Sequence, residues 1–406
     1  MGTQTESKLT LSNRFDNITE SATLVMAVKA RELQAKGVNV IKLNLGEPDF
    51  PTPQYIQDAA KEAIDEGKYF SYPPVPGYPE LRQAIADKLD RENNLSYKAE
   101  NIVVSAGAKH SVANVMLSIL NPGDEVIVFS PYWVSYTDQI HLAGGTPVIL
   151  SGSIENDFKV TPEELRAAIT PNTKAILFSS PCNPTGTVFT KEELRGIADE
   201  VVKHDNIYIV SDEIYEYINF GGKHFSIAQF DDVKDRTVVV NGFSKGFAMT
   251  GWRIGYVAAP LHLAKACTKI QGQVTSGINT ITQRACIAAL KGDSTSVIKE
   301  MRTAYLRRRD LLKSMLDEIE GVKTNLPQGA FYIFPDFSAF FGKSFNGEVI
   351  KDSSDLCMFF LNEAHVSTVA GAAFGAPNCI RISYAASDDE LVQAVKQIKE
   401  ALNKLS

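Results

Sequence analysis

Four short polar stretches of this chain each follow directly on an apolar, β-branched run. After "NIVVS" come Ala106, Gly107, Ala108 and Lys109, and after "AILFSS" comes Pro181-Cys182-Asn183-Pro184-Thr185-Gly186. After "IYIVS" come Asp212 and Tyr215, and after "TVVVNG" comes Lys245, with Arg253 eight positions on. In open α/β sheets ligands bind just beyond the carboxyl ends of the strands, so four such ends suggest one shared cleft. Its contents form a chemical set: a nucleophilic amine, a carboxylate, a phenol, a carboxamide and a helix N-terminus suited to an anion. Pyridoxal 5′-phosphate asks for such a set. Its aldehyde needs the amine of Lys245, and its pyridinium nitrogen needs an acidic partner, Asp212. Tyr215 and Asn183 can hydrogen-bond the ring's phenolic oxygen, while the N–H groups of residues 106–109 and the Arg253 guanidinium suit the phosphate. Trp133, in "SPYWVSY", offers a flat apolar face for the ring. Taken singly, each residue has an ordinary reading: Asn-Pro-Thr-Gly is a turn, Gly107 a chain reversal, Asp212 a cap for a following helix.

The elements that must carry these residues are legible in outline. Val- and Ile-rich runs alternate with amphipathic stretches from "NIVVS" to "WRIGYVAA". That alternation predicts an α/β fold with a mostly parallel sheet buried on both faces. Thr190, followed by Lys-Glu-Glu, predicts an N-cap with acidic first-turn residues. From about Leu261 to Gly321 the pattern is mainly helical, and an α+β segment through "GAFYIFPDF" and "CIRISYAA" closes the chain. The expected layout is a large lobe over residues 49–300 and a smaller α+β lobe built from both chain ends, residues 1–48 and 301–406.

Composition narrows the function. Apolar residues make up 44% and charged ones 22%, as in ordinary globular proteins, and the net charge of −7 argues against nucleic acid as a partner. No apolar run approaches the roughly 20 residues that span a bilayer, so no membrane partner is expected. The N-terminus "MGTQTESKLTLSNRF" lacks an apolar signal region, and five cysteines without a CxxC pair suit a reducing compartment; the cytoplasm is the expected location. The six histidines show no ligand spacing, so no metal is expected. "FGKS" at 341–344 resembles the end of a phosphate-binding loop, but the required first glycine falls on Phe337.

"SKGFAMTGWRIGY", "SPCNPTG", "VSDEIYE", "SPYWVSY", "NLGEPDF" and "IRISYAAS" together resemble the motifs of class I pyridoxal-phosphate aminotransferases, most closely the bacterial-type aspartate enzymes. The resemblance runs over essentially the whole chain in the family's order. It implies fold type I, a homodimer with shared active sites, and ping-pong transamination between an amino acid, aspartate or a relative of it, and 2-oxoglutarate. It implies that Lys245 bonds the cofactor, that Asp212 meets the ring nitrogen, and that Asn183 and Tyr215 meet the ring oxygen. Trp133 stacks, and Arg253 with Gly107 and Ala108 holds the phosphate. Arg381 and Gly46 bind the substrate α-carboxylate, Lys109 and Thr23 its side chain. Tyr72 reaches the phosphate in the neighbouring subunit. One position departs: many members carry a phosphate-binding serine where this chain has Gly242. Phosphate binding is then expected to lean on Ser105, the amides after it and Arg253. Two other readings share these features in part: a C–S lyase using the same cofactor, and a transcriptional regulator with an aminotransferase-like sensor. The regulator needs a DNA-binding domain ahead of residue 21, where family-like sequence already begins.

Overall fold

The computed structural model describes residues 10–406. The first nine residues, where most of the stretch read as lacking a signal falls, lie outside the described residues. Helix α1 (Ala22–Ala35) leads to strand β1 (Ile41–Lys42), and α2 (Gln54–Asp65) and α3 (Pro79–Asn93) follow. An alternating run comes next: β2 (Ile102–Ser105), α4 (Ala108–Ile119), β3 (Glu125–Ser130), α5 (Ser135–Leu142), β4 (Thr146–Ser151) and α6 (Pro162–Ala168). It continues with β5 (Thr173–Ser179), α7 (Lys191–Val201), β6 (Tyr208–Asp212), α8 (Asp231–Lys234), β7 (Thr237–Gly242) and β8 (Gly255–Ala258).

These seven strands make one sheet in the order β2-β8-β7-β6-β5-β3-β4. Neighbours from β7 to β4 are parallel, and β8 alone runs against both of its partners. The central strands read as unbroken apolar runs because helices cover both faces: Val126, Ile127, Ile176, Leu177, Ile209 and Val210 are fully buried. Burying each such side chain stabilises the fold by about 1.5–3 kcal/mol. Thr190 does cap α7: its hydroxyl accepts from Glu193 N at 3.2 Å, and the Glu193 carboxylate accepts from Thr190 N at 2.7 Å. The carboxyl ends of β5, β6 and β7 deliver Asn183, Asp212 and Lys245 to one edge of the sheet.

Helices α9 (Leu261–Val274), α10 (Thr280–Lys291) and the 23-residue α11 (Thr295–Asp317) follow. Then come β9 (Tyr332–Ile333), the hairpin β10 (Ser344–Phe345) and β11 (Glu348–Val349), and α12 (Ser353–Phe359). Strands β12 (Val366–Ser367), β13 (Val369–Ala370) and β14 (Ile380–Ser383) precede the last helix, α13 (Asp388–Leu402). β14 lies between β13 and β9, antiparallel to each. The two chain ends meet here. β1 pairs parallel with β12, Ile41 opposite Val366, and one apolar cluster joins Met26, Ala30 and Leu43 to Tyr305, Phe331 and Ile382.

One reading of the sequence fails at this level. No helix follows Asp212; residues 214–217 form a turn, and the Asp212 carboxylate accepts from Ile214 N at 3.2 Å. Asp212 is therefore not a helix cap.

Candidate active site

A cavity of about 570 Å³ opens where the strand ends meet α1 and β14. Lys245, Asp212, Tyr215, Asn183, Trp133, Ala108, Lys109, Arg253, Gly46, Arg381 and Thr23 all line it.

Lys245 stands on the turn after β7, and its ammonium donates to the Gly46 carbonyl oxygen. Burial, with the Arg381 charge adding to it, lowers its pKa to about 8. Asp212 ends β6 and is 4% exposed. Burial raises its pKa to about 6, against the pull of a 2.7 Å hydrogen bond donated by the Tyr136 hydroxyl. The Tyr215 hydroxyl shares a 2.8 Å hydrogen bond with Tyr332, and burial pushes both phenols above their ordinary value.

Arg381 is a buried cation in the cavity wall. β14 sets it in register opposite Val369, 2% exposed, with its guanidinium 4.5 Å from the centre of the Tyr332 ring. It donates to Asn183 Oδ1 at 2.9 Å and to the Asn44 carbonyl at 2.7 Å, while its Nε has no partner. Among the described residues no carboxylate pairs with it. A buried, unpaired cation is costly unless a ligand brings the anion.

The anion cradle lies at the start of α4. Gly107 has φ of +89°, and a Cβ there would stand 2.7 Å from Arg253 Nη2. Only glycine lets the guanidinium lie against that turn, beside the first N–H groups of α4, which have no acceptor within the helix. Gly107 itself does not line the cavity. Gly242 is packed as tightly: a Cβ would meet Gly255 Cα at 2.8 Å and Ile254 O at 3.0 Å. A serine there has no room unless the two strands part.

The expectation for Ser105 is corrected. It is fully buried and donates to Gln271 Oε1 at 2.7 Å, outside the cavity, because β2 turns its side chain toward α9. Ser244 lines the cavity in its place. Tyr72 is also absent from the cavity of its own chain, being 97% exposed.

At the other end, Lys109 Nζ lies 5.1 Å from the Trp133 ring centre. Burial and then the Arg253 charge lower its pKa. Thr23 comes from α1; its carbonyl accepts from Asn44 Nδ2 at 3.4 Å, tying that helix to the segment that holds Arg381. Sequence reading missed Tyr136, Tyr332 and Asn44. Tyr136 sits inside the quoted motif "SPYWVSY", one helical turn after Trp133, and that spacing was its only signal. Tyr332 hides in the apolar run "AFYIF", where it reads as core.

The ionisable residues lining the cavity comprise four cations, Lys109, Lys245, Arg253 and Arg381, against two carboxylates, Glu47 and Asp212. Such a chamber favours ligands that carry several negative charges.

Comparison with known proteins agrees with this geometry. The family model for aminotransferase class I and II matches residues 38–398. The chain is 46% identical to a probable aspartate/prephenate aminotransferase of Aquifex aeolicus, covering 97% of this chain and 99% of that relative. It is 44% identical to an aspartate aminotransferase of Bacillus subtilis, covering 98% and 100%. A solved aspartate aminotransferase structure from Rhizobium meliloti superposes with a TM-score of 0.94 at 40% identity, over 98% of this chain and all of that one.

Proposed function

The chain belongs to the class I and II aminotransferase family, and from that premise we propose that it moves an amino group between L-aspartate and 2-oxoglutarate in a ping-pong cycle. The residues present fit pyridoxal 5′-phosphate. The cavity joins an amine of lowered pKa, a buried carboxylate, three buried phenols and a carboxamide, with a glycine-guanidinium cradle beside it. Lys245 would bond it, Asp212 would meet its ring nitrogen, and Asn183 and Tyr215 its phenolic oxygen. Trp133 would stack on the ring, while Gly107, Ala108 and Arg253 would hold the phosphate. When bound, the cofactor supplies an aldehyde for the substrate amine and an electron sink for the carbon that loses its proton.

This chain's own residues do the rest. Arg381 grips the α-carboxylate, with Gly46 as a backbone contact beside it, and so orients Cα. Lys245, as a neutral amine, takes the proton from Cα. Asp212, a buried carboxylate that the Tyr136 hydroxyl keeps in place, would face the ring nitrogen and favour a proton there. Lys109, with Thr23 nearby, receives the second carboxylate of a dicarboxylic substrate.

The carrying observation is the unpaired, buried Arg381 with Lys109 in the same cavity: two separate cations for two carboxylates. Incubating the purified protein with L-aspartate, 2-oxoglutarate and the cofactor should yield oxaloacetate and glutamate, with parallel double-reciprocal lines. Release of ammonia, or a preference for alanine or aromatic substrates, would defeat the reading.

We further infer a homodimer in which Tyr72 of one subunit serves the site of the other; its 97% exposure, beside Phe70 at 71%, supports this. No helix of the described residues is long and apolar enough to cross a membrane. The five cysteines are all buried and unpaired, which supports a reducing compartment such as the cytoplasm. Residues 1–48 with 301–406 are read as one lobe and 49–300 as the other, a division supported by the β1–β12 pairing.

A further inference from the structure

Behind the cavity, on the far side of the turn that presents Asp212 and Tyr215, the chain buries charges that the reaction does not use. Glu213, Glu216, His224 and Lys88 are 1%, 7%, 7% and 1% exposed. Glu216 is held from α3, by the Lys88 ammonium and by Asn93 Nδ2 at 2.7 Å. Glu213, the residue directly after Asp212, has no lysine or arginine of its own among the described residues. Its Oε1 accepts from Ser211 Oγ at 2.9 Å and from Ser226 Oγ at 2.6 Å. Its Oε2 lies 2.9 Å from His224 Nε2, an ion pair when that ring is protonated.

We infer that His224 is a positioning residue for Asp212: it holds and offsets the Glu213 carboxylate, so that this neighbouring negative charge does not drive a proton onto Asp212. Glu213 does act on Asp212 in that sense, its charge adding to the effect of burial. Burial alone would lower the pKa of His224, but the Glu213 carboxylate, with Glu216 beyond it, raises it instead, while Lys88 opposes. With Lys88 assigned to Glu216, a protonated His224 leaves the group without net charge; a neutral one leaves a negative charge next to the catalytic carboxylate. The phenols of Tyr97 and Tyr256 also face Glu213, and burial keeps both protonated. On the cavity side Asp212 meets Tyr136, Tyr215, Cys182 and Lys245.

The inference rests on reading Asp212 as the partner of the cofactor's ring nitrogen, but its test does not depend on transamination. Full-length protein carrying aspartate labelled with carbon-13 at the side-chain carboxyl is titrated with and without pyridoxal 5′-phosphate; loss of one signal in Asp212→Asn identifies that residue. His224→Gln should move the Asp212 midpoint up by about one pH unit, because the Glu213 charge is then no longer offset. The double variant His224→Gln/Glu213→Gln, which removes that charge as well, should bring the midpoint back toward the wild-type value. The acid limb of activity in the loaded enzyme should rise and return in the same way. A purely structural role would lower activity in both variants without that rise and return. A His224→Gln midpoint that does not rise, or one that the second substitution does not bring back, overturns the inference. If His224→Gln does not fold, the nitrogen-15 shifts of the His224 ring in the wild type decide: a ring already neutral at the Asp212 midpoint overturns the inference. Absence of aminotransfer in the wild type would sink the proposed function and leave this titration readable.

Discussion

Lys245 shows how burial makes a common side chain reactive. Taken out of water near the Arg381 charge, its ammonium loses part of its stabilisation, and its pKa falls to about 8. The neutral amine is the nucleophile, so cofactor-free protein should bond pyridoxal 5′-phosphate at a rate that climbs with pH and levels off above about 8, followed by absorbance. A rate still climbing at pH 10 would return Lys245 to the ordinary lysine range. Lys109 is the residue on which we propose that substrate choice turns. Losing a charge partner for the side-chain carboxylate costs about 2–5 kcal/mol, so the wild type should prefer aspartate to alanine roughly 30- to 5,000-fold. Lys109→Ala should collapse that preference by weakening aspartate and glutamate while sparing neutral substrates. Equal loss on all substrates in steady-state kinetics would remove Lys109 from that role.

The elements set tolerances that single residues do not reveal. β7 and β8 approach so closely at Gly242 and Gly255 that no side chain fits between them. Gly242→Ser adds a hydroxyl at the carboxyl end of β7, yet the strands must part to admit it. The variant should lose about 1–3 kcal/mol of stability, seen as a lower Tm, with no gain in cofactor affinity by fluorescence titration. Tighter cofactor binding at unchanged Tm would show that the strand pair yields more easily than its packing implies. The start of α4 works the same way. Gly107 gives way to Arg253 because it has no Cβ, and the helix behind it aims unpaired N–H groups at the same spot.

At the scale of the molecule, the site exists because distant parts of the chain are stitched together. β1 pairs with β12, 325 positions away, and the shared cluster of Ile41, Tyr305 and Ile382 brings Arg381 up to the sheet that holds Lys245. In the dimer we propose, the same logic extends across subunits. Tyr72, 97% exposed in one chain, should be covered in a dimer and close the partner's phosphate site. Tyr72→Ala should weaken cofactor binding about 10- to 100-fold, the loss of one hydrogen bond to a charged group, while leaving the fold of the subunit unchanged. Sedimentation should find a dimer in both proteins. A monomer with full cofactor affinity would remove the partner from the site.

What the sequence determined by itself was the chemistry that follows local rules. Strand ends marked by Val-Val-Val-Asn-Gly or Ile-Val-Ser-Asp place Lys245 and Asp212, because period and turn residues are local properties of a chain. Residue chemistry also singled out Trp133 and Asn183, the resemblance added Arg381, and the cavity holds all three. What only the tertiary structure decided was direction and company. Ser105 and Ser244 are both polar residues near a strand end, yet one faces the Gln271 amide and the other the cavity, a difference set by how β2 and β7 pack against β8. Tyr332 reads as core until the fold brings Arg381 against its ring, and His224 reads as an isolated histidine until it stands 2.9 Å from Glu213. Such contacts join residues far apart in the chain, and burial, not spacing, makes their charges count.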